Sequence, residues 1–301
     1  MSQRTRLLHV VAVLSVQAAL FAGQAPSFRT ETRLVVLHAT VLNGRGQRVT
    51  DLDQRAFTVF ENGKPQPITL FRRDDVPISV GLLIDNSGSM RPLRSRIERA
   101  ALAFARASNP QDELFVLNFA DQVRLDVPMT NDIHVLEDSI ARVDSIGGTA
   151  LRDAVRTGEL YLRDHAKWDR RVLLIITDGY DNASETTLDQ IRRQAEVTDT
   201  TIEAIGLFTG DDEAKIHRGR RELVSMTDRT GGGAYFPAAV DAIEADAVDI
   251  ARKIRNEYTI AYAPLDQRLD GSYRQIRLSV RGQEHYSVRT KSGYRATRVA
   301  P

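Results

Sequence analysis

Two unbroken apolar runs, 80–84 and 173–176, constrain the fold of this chain most. A strand with one wet face alternates apolar and polar residues. A strand that is apolar at every position is covered on both faces. The strand candidates 78–84, 114–119, 172–176, 201–206 and 234–236 are separated by stretches of helical periodicity at 93–107, 133–143, 151–165, 187–197 and 215–230. A closing amphipathic helix is expected over 240–254. This regular exchange of strand and helix predicts a doubly wound, mostly parallel α/β sheet of Rossmann-like type. Residues 123–127 are the exception. They alternate and follow 114–119 after a short turn, which predicts one antiparallel edge strand.

The flanks have a different character. Residues 34–41 and 57–60 read as strands, Glu61-Asn62-Gly63-Lys64 as a turn, and 68–71 as the return strand. The tail carries alternating segments at 258–262 and 274–280, and a shorter one at 286–289. Neither flank buries enough surface to stand alone. They are therefore expected to pack together as a small β domain, with the α/β domain inserted between its halves. The resulting division is 1–25 export signal, 26–75 first half of the β domain, 76–257 α/β domain, and 258–301 second half.

The export signal rests on Arg4 and Arg6 ahead of an apolar run over about 10–22, followed by Pro26 and Ser27. Ala22 and Ala25 are the candidate cleavage positions, and an uncleaved anchor is the alternative. The run is short for a membrane span. The expected location is periplasmic or extracellular, in association with the cell envelope. The chain has no cysteine, which excludes disulfides, thiol catalysis and a cysteine-linked lipid anchor. With 41 basic and 40 acidic residues, the formal charge is +1, and nothing predicts nucleic-acid binding.

The chemistry concentrates in Asp85-Asn86-Ser87-Gly88-Ser89, directly after the first apolar run. One carboxylate and two hydroxyls at i, i+2 and i+4 form an oxygen set suited to a hard divalent cation. Gly147-Gly148-Thr149-Ala150-Leu151 and Thr177-Asp178-Gly179 are the segments that would complete it. Ligands of open α/β sheets sit at the carboxyl ends of the strands, so adjacent strands would bring the three loops together. A lone Asp or Ser there would be read as a helix cap; the combination points to a site. A cation so held keeps exchangeable water, which a partner carboxylate can replace. Asp181 and Asn182 are read first as a solvated turn, and second as support for the loop.

These residues resemble the von Willebrand factor type A family, also called the integrin I-type domain. Asp85, Ser87 and Ser89 match the Asp-x-Ser-x-Ser of its metal-ion-dependent adhesion site, Thr149 its threonine, and Asp178 its later aspartate. The resemblance covers about 76–257. It implies bound Mg2+, Mn2+ or Ca2+, with Ser87 and Ser89 as direct ligands, Thr149 direct or through water, and Asp85 and Asp178 through water. The segment 57–66 and the C-terminal Gly282, Val288-Arg289 and Ser292-Gly293-Tyr294 are similar to a group of exported von Willebrand factor A-related proteins common in Acidobacteria.

The expected function is an exported, metal-ion-dependent protein-binding module of adhesion type, whose partner presents an acidic side chain. The alternative is a non-catalytic scaffold or regulatory subunit of a cell-envelope complex. A metal-assisted hydrolase is disfavoured. His38, His134, His165, His217 and His285 are scattered outside the three loops. No Gly-x-Ser-x-Gly elbow or phosphate-binding loop is present either. The basic run His217-Arg218-Gly219-Arg220-Arg221 reads as ordinary surface, or as part of a contact with a partner of mixed charge.

Overall fold

Residues 34–73, 75–140, 147–208, 212–282 and 285–297 are described by the computed structural model of the chain, except for the side chains of 138–140 and 240. The expected export signal lies outside them. Residues Arg33–Pro301 cluster as one unit. Among the described residues, no helix is long and apolar enough to cross a membrane.

The first flank supplies β1 (Val35–Leu42), β2 (Phe57–Glu61), β3 (Lys64–Gln66) and β4 (Ile68–Arg72). The middle of the chain supplies β5 (Ser79–Asp85), α1 (Arg94–Ala107), β6 (Glu113–Phe119), β7 (Val123–Thr130), α2 (Ile133–Ile140), α3 (Leu151–His165) and β8 (Arg171–Thr177). It continues with α4 (Leu188–Ala195), β9 (Thr200–Gly206), α5 (Glu213–Thr230), β10 (Ala234–Tyr235) and α6 (Ile243–Arg255). The tail adds β11 (Tyr258–Tyr262), β12 (Tyr273–Val280), β13 (Ser287–Arg289) and β14 (Gly293–Arg295).

The middle strands form one six-stranded sheet in the order β10-β9-β8-β5-β6-β7. All neighbours are parallel except β7, which runs antiparallel to β6 at the edge. Every residue of β5 is buried, and the pleat divides them between two cores. Val80, Leu82 and Ile84 pack with Ile97, Ala100 and Phe104 of α1 and with Ile243, Ala247 and Ile250 of α6. Leu83 faces the other way, with Leu173 and Ile175 of β8, Leu151 and Val155 of α3, and Leu223 and Met226 of α5. Helices cover both faces, so the fold is doubly wound. Gly81 permits the second core to close, since a Cβ there would stand 2.4 Å from Phe115 Cζ.

The flanking strands form two four-stranded antiparallel sheets, β13-β1-β11-β4 and β14-β12-β2-β3. Each draws strands from both ends of the chain. Val35 pairs with Tyr262 and Ala39 with Tyr258, while Phe57 pairs with Val280 and Glu61 with Ile276. Leu37, Val59, Ile260, Tyr262 and Leu278 share one core. The hydroxyls of Tyr262 and Tyr294 donate to buried Glu61 Oε2 at 2.8 and 2.9 Å.

One local expectation is corrected. Asn62 (φ 48°) and Gly63 (φ 77°) turn the chain as expected, but the strand that returns along β2 is β3. Pro67 ends β3, and β4 crosses to pair with β11 in the other sheet. Pro65 sits on β3 without loss of a ladder bond, because β3 is an edge strand.

Candidate functional site

Strand β5 lies between β6 and β8. The chain leaves β5 for β6 on one side, and returns to β8 on the other after α3. The strand order therefore reverses at β5, so the carboxyl ends of β5 and β8 mark the place where open α/β sheets carry their crevice. Three loops meet there.

The first loop leaves β5 at Asp85, which is 1% exposed. Its Oδ1 accepts from the Ser87 backbone N–H at 2.8 Å, and its Oδ2 accepts from Thr177 Oγ1 at 2.5 Å. Ser87 is buried, and Gly88–Leu93 then forms a 3-10 turn that exposes Ser89. The Ser87 and Ser89 hydroxyls lie 3.1 Å apart, and Ser89 Oγ donates to Asp178 Oδ1 at 2.9 Å. Asp85, Ser87, Ser89 and Asp178 thus form a continuous hydrogen-bonded chain from β5 to the end of β8.

The second loop is fixed from both sides. The Gly88 N–H donates to Gly147 O at 3.2 Å, and the Gly148 N–H to Asp121 Oδ1 at 2.7 Å. Gly147 has φ +95°, and a Cβ there would stand 2.3 Å from Asp121 Oδ2. Thr149 is buried. Its N–H donates to Asn182 Oδ1 at 2.8 Å, and its carbonyl accepts from the Asn182 N–H at 3.1 Å. A Cβ on Gly179 would stand 3.1 Å from Thr149 Oγ1, so this hydroxyl borders the third loop.

The third loop is tied to the start of α3. Asp181 Oδ2 accepts from the Arg152 N–H at 2.7 Å and from Ser184 Oγ at 2.6 Å. Arg152 also pairs with Asp181 at 3.1 Å, and lies 2.8 Å from Glu222 on α5. That second contact is close without hydrogen-bond alignment. Asp153 accepts from the Glu185 and Thr186 N–H groups at 3.0 and 2.9 Å. In return, Asp181 Oδ2 and Ser184 Oγ accept from the Arg152 and Asp153 N–H groups at the start of α3, which no helical carbonyl can reach.

All five expected site residues therefore converge on one crevice. The supporting residues were largely missed in the sequence. Asp181 is 6% exposed and anchors a helix start, where a solvated turn was the first reading. Thr177 lay in the quoted Thr177-Asp178-Gly179 segment with no role of its own, and Asp121 had no motif to mark it. The one signal for Asp121 is its position just beyond the carboxyl end of a buried strand.

Burial governs the charge. It pushes Asp85 up to about 6, and the nearby Asp178 carboxylate adds to the rise against the bonds from Thr177 and Ser87. Asp178 is also raised by burial, against the bond from Ser89.

The expectation of a bound Mg2+, Mn2+ or Ca2+ is corrected here. Among the described residues, no group of three or more histidine, cysteine, aspartate or glutamate side chains comes together to hold a metal ion. The five converging residues supply two carboxylates and three hydroxyls. Both oxygens of Asp85 and one of Asp178 already accept internal hydrogen bonds. A hard divalent cation draws its affinity from charged oxygens, and this set is poor in them. Metal-dependent adhesion, with a partner carboxylate completing an ion, falls with it. No histidine lies in the described parts of the three loops.

Comparison with known proteins agrees with the fold. A sequence model of the von Willebrand factor type A domain matches residues 80–180, a span that contains all five site positions. A von Willebrand factor type A protein from Catenulispora acidiphila is similar in structure, with 14% identity and a TM-score of 0.53, over 90% of this chain and 75% of that one. Proximal thread matrix protein 1 from the mussel byssus, solved with a zinc-occupied MIDAS motif, is similar at 17% identity and a TM-score of 0.51, over 65% of this chain and 50% of that one. An aerotolerance-related membrane protein from Bacteroides fragilis aligns at 14% identity and a TM-score of 0.48, over 58% of this chain and 99% of that one. A search of curated protein sequences gave no match. At these identities the likeness concerns the fold; the zinc belongs to the mussel protein.

Proposed function

We propose that this von Willebrand factor type A domain protein is a non-catalytic interaction scaffold, or a regulatory subunit, of a cell-envelope complex. It meets its protein partner directly at the crevice, without an intervening cation. The observation that carries this reading is the Asp85–Ser87–Ser89–Asp178 chain of hydrogen bonds, which satisfies the crevice floor internally and leaves a polar rim. A rim held this way is preorganised, so less conformational freedom is lost on binding. Ser89 and Asp178 face the partner in this reading, while Asp85, Ser87 and Thr149 position the loops. The leader-like segment over residues 4–25 supports an exported location. The flank resemblance supports a place among the exported bacterial proteins of this type.

The test is a photo-crosslinking amino acid at position 89 in the full chain, expressed in its own compartment. The reading predicts one discrete protein crosslink, unchanged by EDTA and lost when Asp178 is replaced by Arg. No crosslink from position 89, or one that disappears with EDTA, would refute it.

A further inference from the structure

The run His217-Arg218-Gly219-Arg220-Arg221 is a concentrated charge that the crevice network leaves unused. It lies in the first half of α5, which follows β9 and so begins at the crevice end of the sheet. Gly219 is buried against Phe208, with room for no side chain: a Cβ would stand 2.4 Å from Phe208 Cε1. The helix is seated closely by that contact, and His217, Arg218, Arg220 and Arg221 all stay exposed around it.

Two of the arginines lie over aromatic rings from different elements that flank α5. Arg218 lies over Tyr180, with Cζ 5.6 Å from the ring centre, and Tyr180 belongs to the third crevice loop. Arg220 lies over Phe236, just beyond the edge strand β10, at 4.7 Å. A basic strip therefore runs from the crevice rim across α5 to the edge of the sheet. Stacking orients each guanidinium and leaves its N–H fork free for an anion.

Among the described residues, no ion pair joins Arg218, Arg220 or Arg221 to a carboxylate. Neighbouring arginines are paired: Arg152 with Asp181, Arg192 with Asp189, and Arg229 with Glu196. Arginines without an ion pair on the exposed side of a helix are available to a partner of opposite sign.

We infer that this strip is an interaction surface for an acidic protein segment, and that it forms the second half of the contact centred on the crevice. The inference rests on the crevice being an interaction site. An acidic protein segment is favoured over a nucleic acid for two reasons. The four basic positions span only about 6 Å along the helix axis, which is short for tracking a phosphate backbone. The crevice beside them presents Asp178 and Asp121, which would repel a continuous polyanion. A protein segment can place carboxylates on the strip and hydrogen-bonding groups at the rim.

The experiment measures fluorescence anisotropy of a labelled peptide of alternating glutamate and serine, titrated with the full chain. A glutamine-for-glutamate peptide and a single-stranded oligonucleotide are run beside it. The glutamate peptide is expected to bind saturably at low salt and to weaken at high salt. Its affinity should fall about tenfold or more when Arg218, Arg220 and Arg221 are each replaced by Glu. If that triple variant unfolds by circular dichroism, the triple Gln variant replaces it, with a smaller loss expected. The position-89 crosslink to the native partner, measured separately, reports on the crevice alone, which separates failure of the strip from failure of the crevice reading. Unchanged affinity in the arginine variants, equal binding of the glutamine peptide, or tighter binding of the oligonucleotide would overturn the inference.

Discussion

Replacing Asp85 with Asn tests the electrostatic state of the crevice floor. Asp85 is 1% exposed, and its pKa rises from 3.8 to about 6, chiefly through burial. Between these values the folded protein holds a proton that the unfolded chain has released. Stability therefore falls as pH rises through this window, at about 1.4 kcal/mol per pH unit, or roughly 3 kcal/mol in all. Above the window the penalty is constant, and below it the penalty vanishes. Asn carries no charge and has nearly the same shape. Its Oδ1 keeps the bond from the Ser87 N–H, and its amide donates to Thr177 Oγ1, which turns its own proton toward Gly179 O at 3.5 Å. D85N should match the wild type near pH 4 and exceed it by up to about 3 kcal/mol at pH 7. The assay is chemical denaturation in EDTA at a series of pH values, followed by circular dichroism, with the difference between variants plotted against pH. Groups common to both proteins cancel in that difference. A flat difference would refute the burial argument. A wild type that gains on D85N as pH rises would mean that a positive charge compensates the carboxylate.

Other outcomes follow from the same structure. Glu159 on α3 is 3% exposed, burial raises it to about 8, and its Oε2 has no partner. E159Q should gain on the wild type from about pH 4.5 to about pH 8, by about 1.4 kcal/mol per unit, and stay level beyond; denaturation against pH reads this. Gly148→Ala would bring a Cβ 2.6 Å from Asn182 Oδ1 and 2.9 Å from Asp121 Oδ1. It should cost about 1–3 kcal/mol and weaken the position-89 crosslink, as melting and crosslinking will show. We also propose the division at 76 and 257 as a folding boundary. A fragment of residues 76–257 should unfold cooperatively in urea, whereas 26–75 alone should give poorly dispersed NMR signals.

The central sheet was legible because its strands are buried on both faces. That makes 80–84 and 173–176 apolar at every position, and the six helical stretches follow at the right spacing. The edge strand β7 was legible for the opposite reason, since one exposed face makes it alternate. The loop convergence could be read from Asp85, Thr149 and Asp178, each placed at a strand end or helix start. Their final state could not. Whether two carboxylates and three hydroxyls gather an ion or bond to one another depends on distances of a few tenths of an ångström between loops some ninety residues apart in sequence. The sequence also hid Asp121 and showed the anchoring role of Asp181 only as a second reading, because an aspartate that anchors a loop is written like one facing solvent. The crossing of β4 into the other sheet was missed because its apolar pattern suits either partner, and Pro67 is the only local mark of the change.

The most direct measurement is isothermal titration calorimetry of Mg2+ into the EDTA-stripped full chain, repeated with D85N. An internally satisfied crevice predicts no saturable heat in either protein and no shift in Tm with added Mg2+. A saturable heat in the wild type that D85N abolishes would contradict the account.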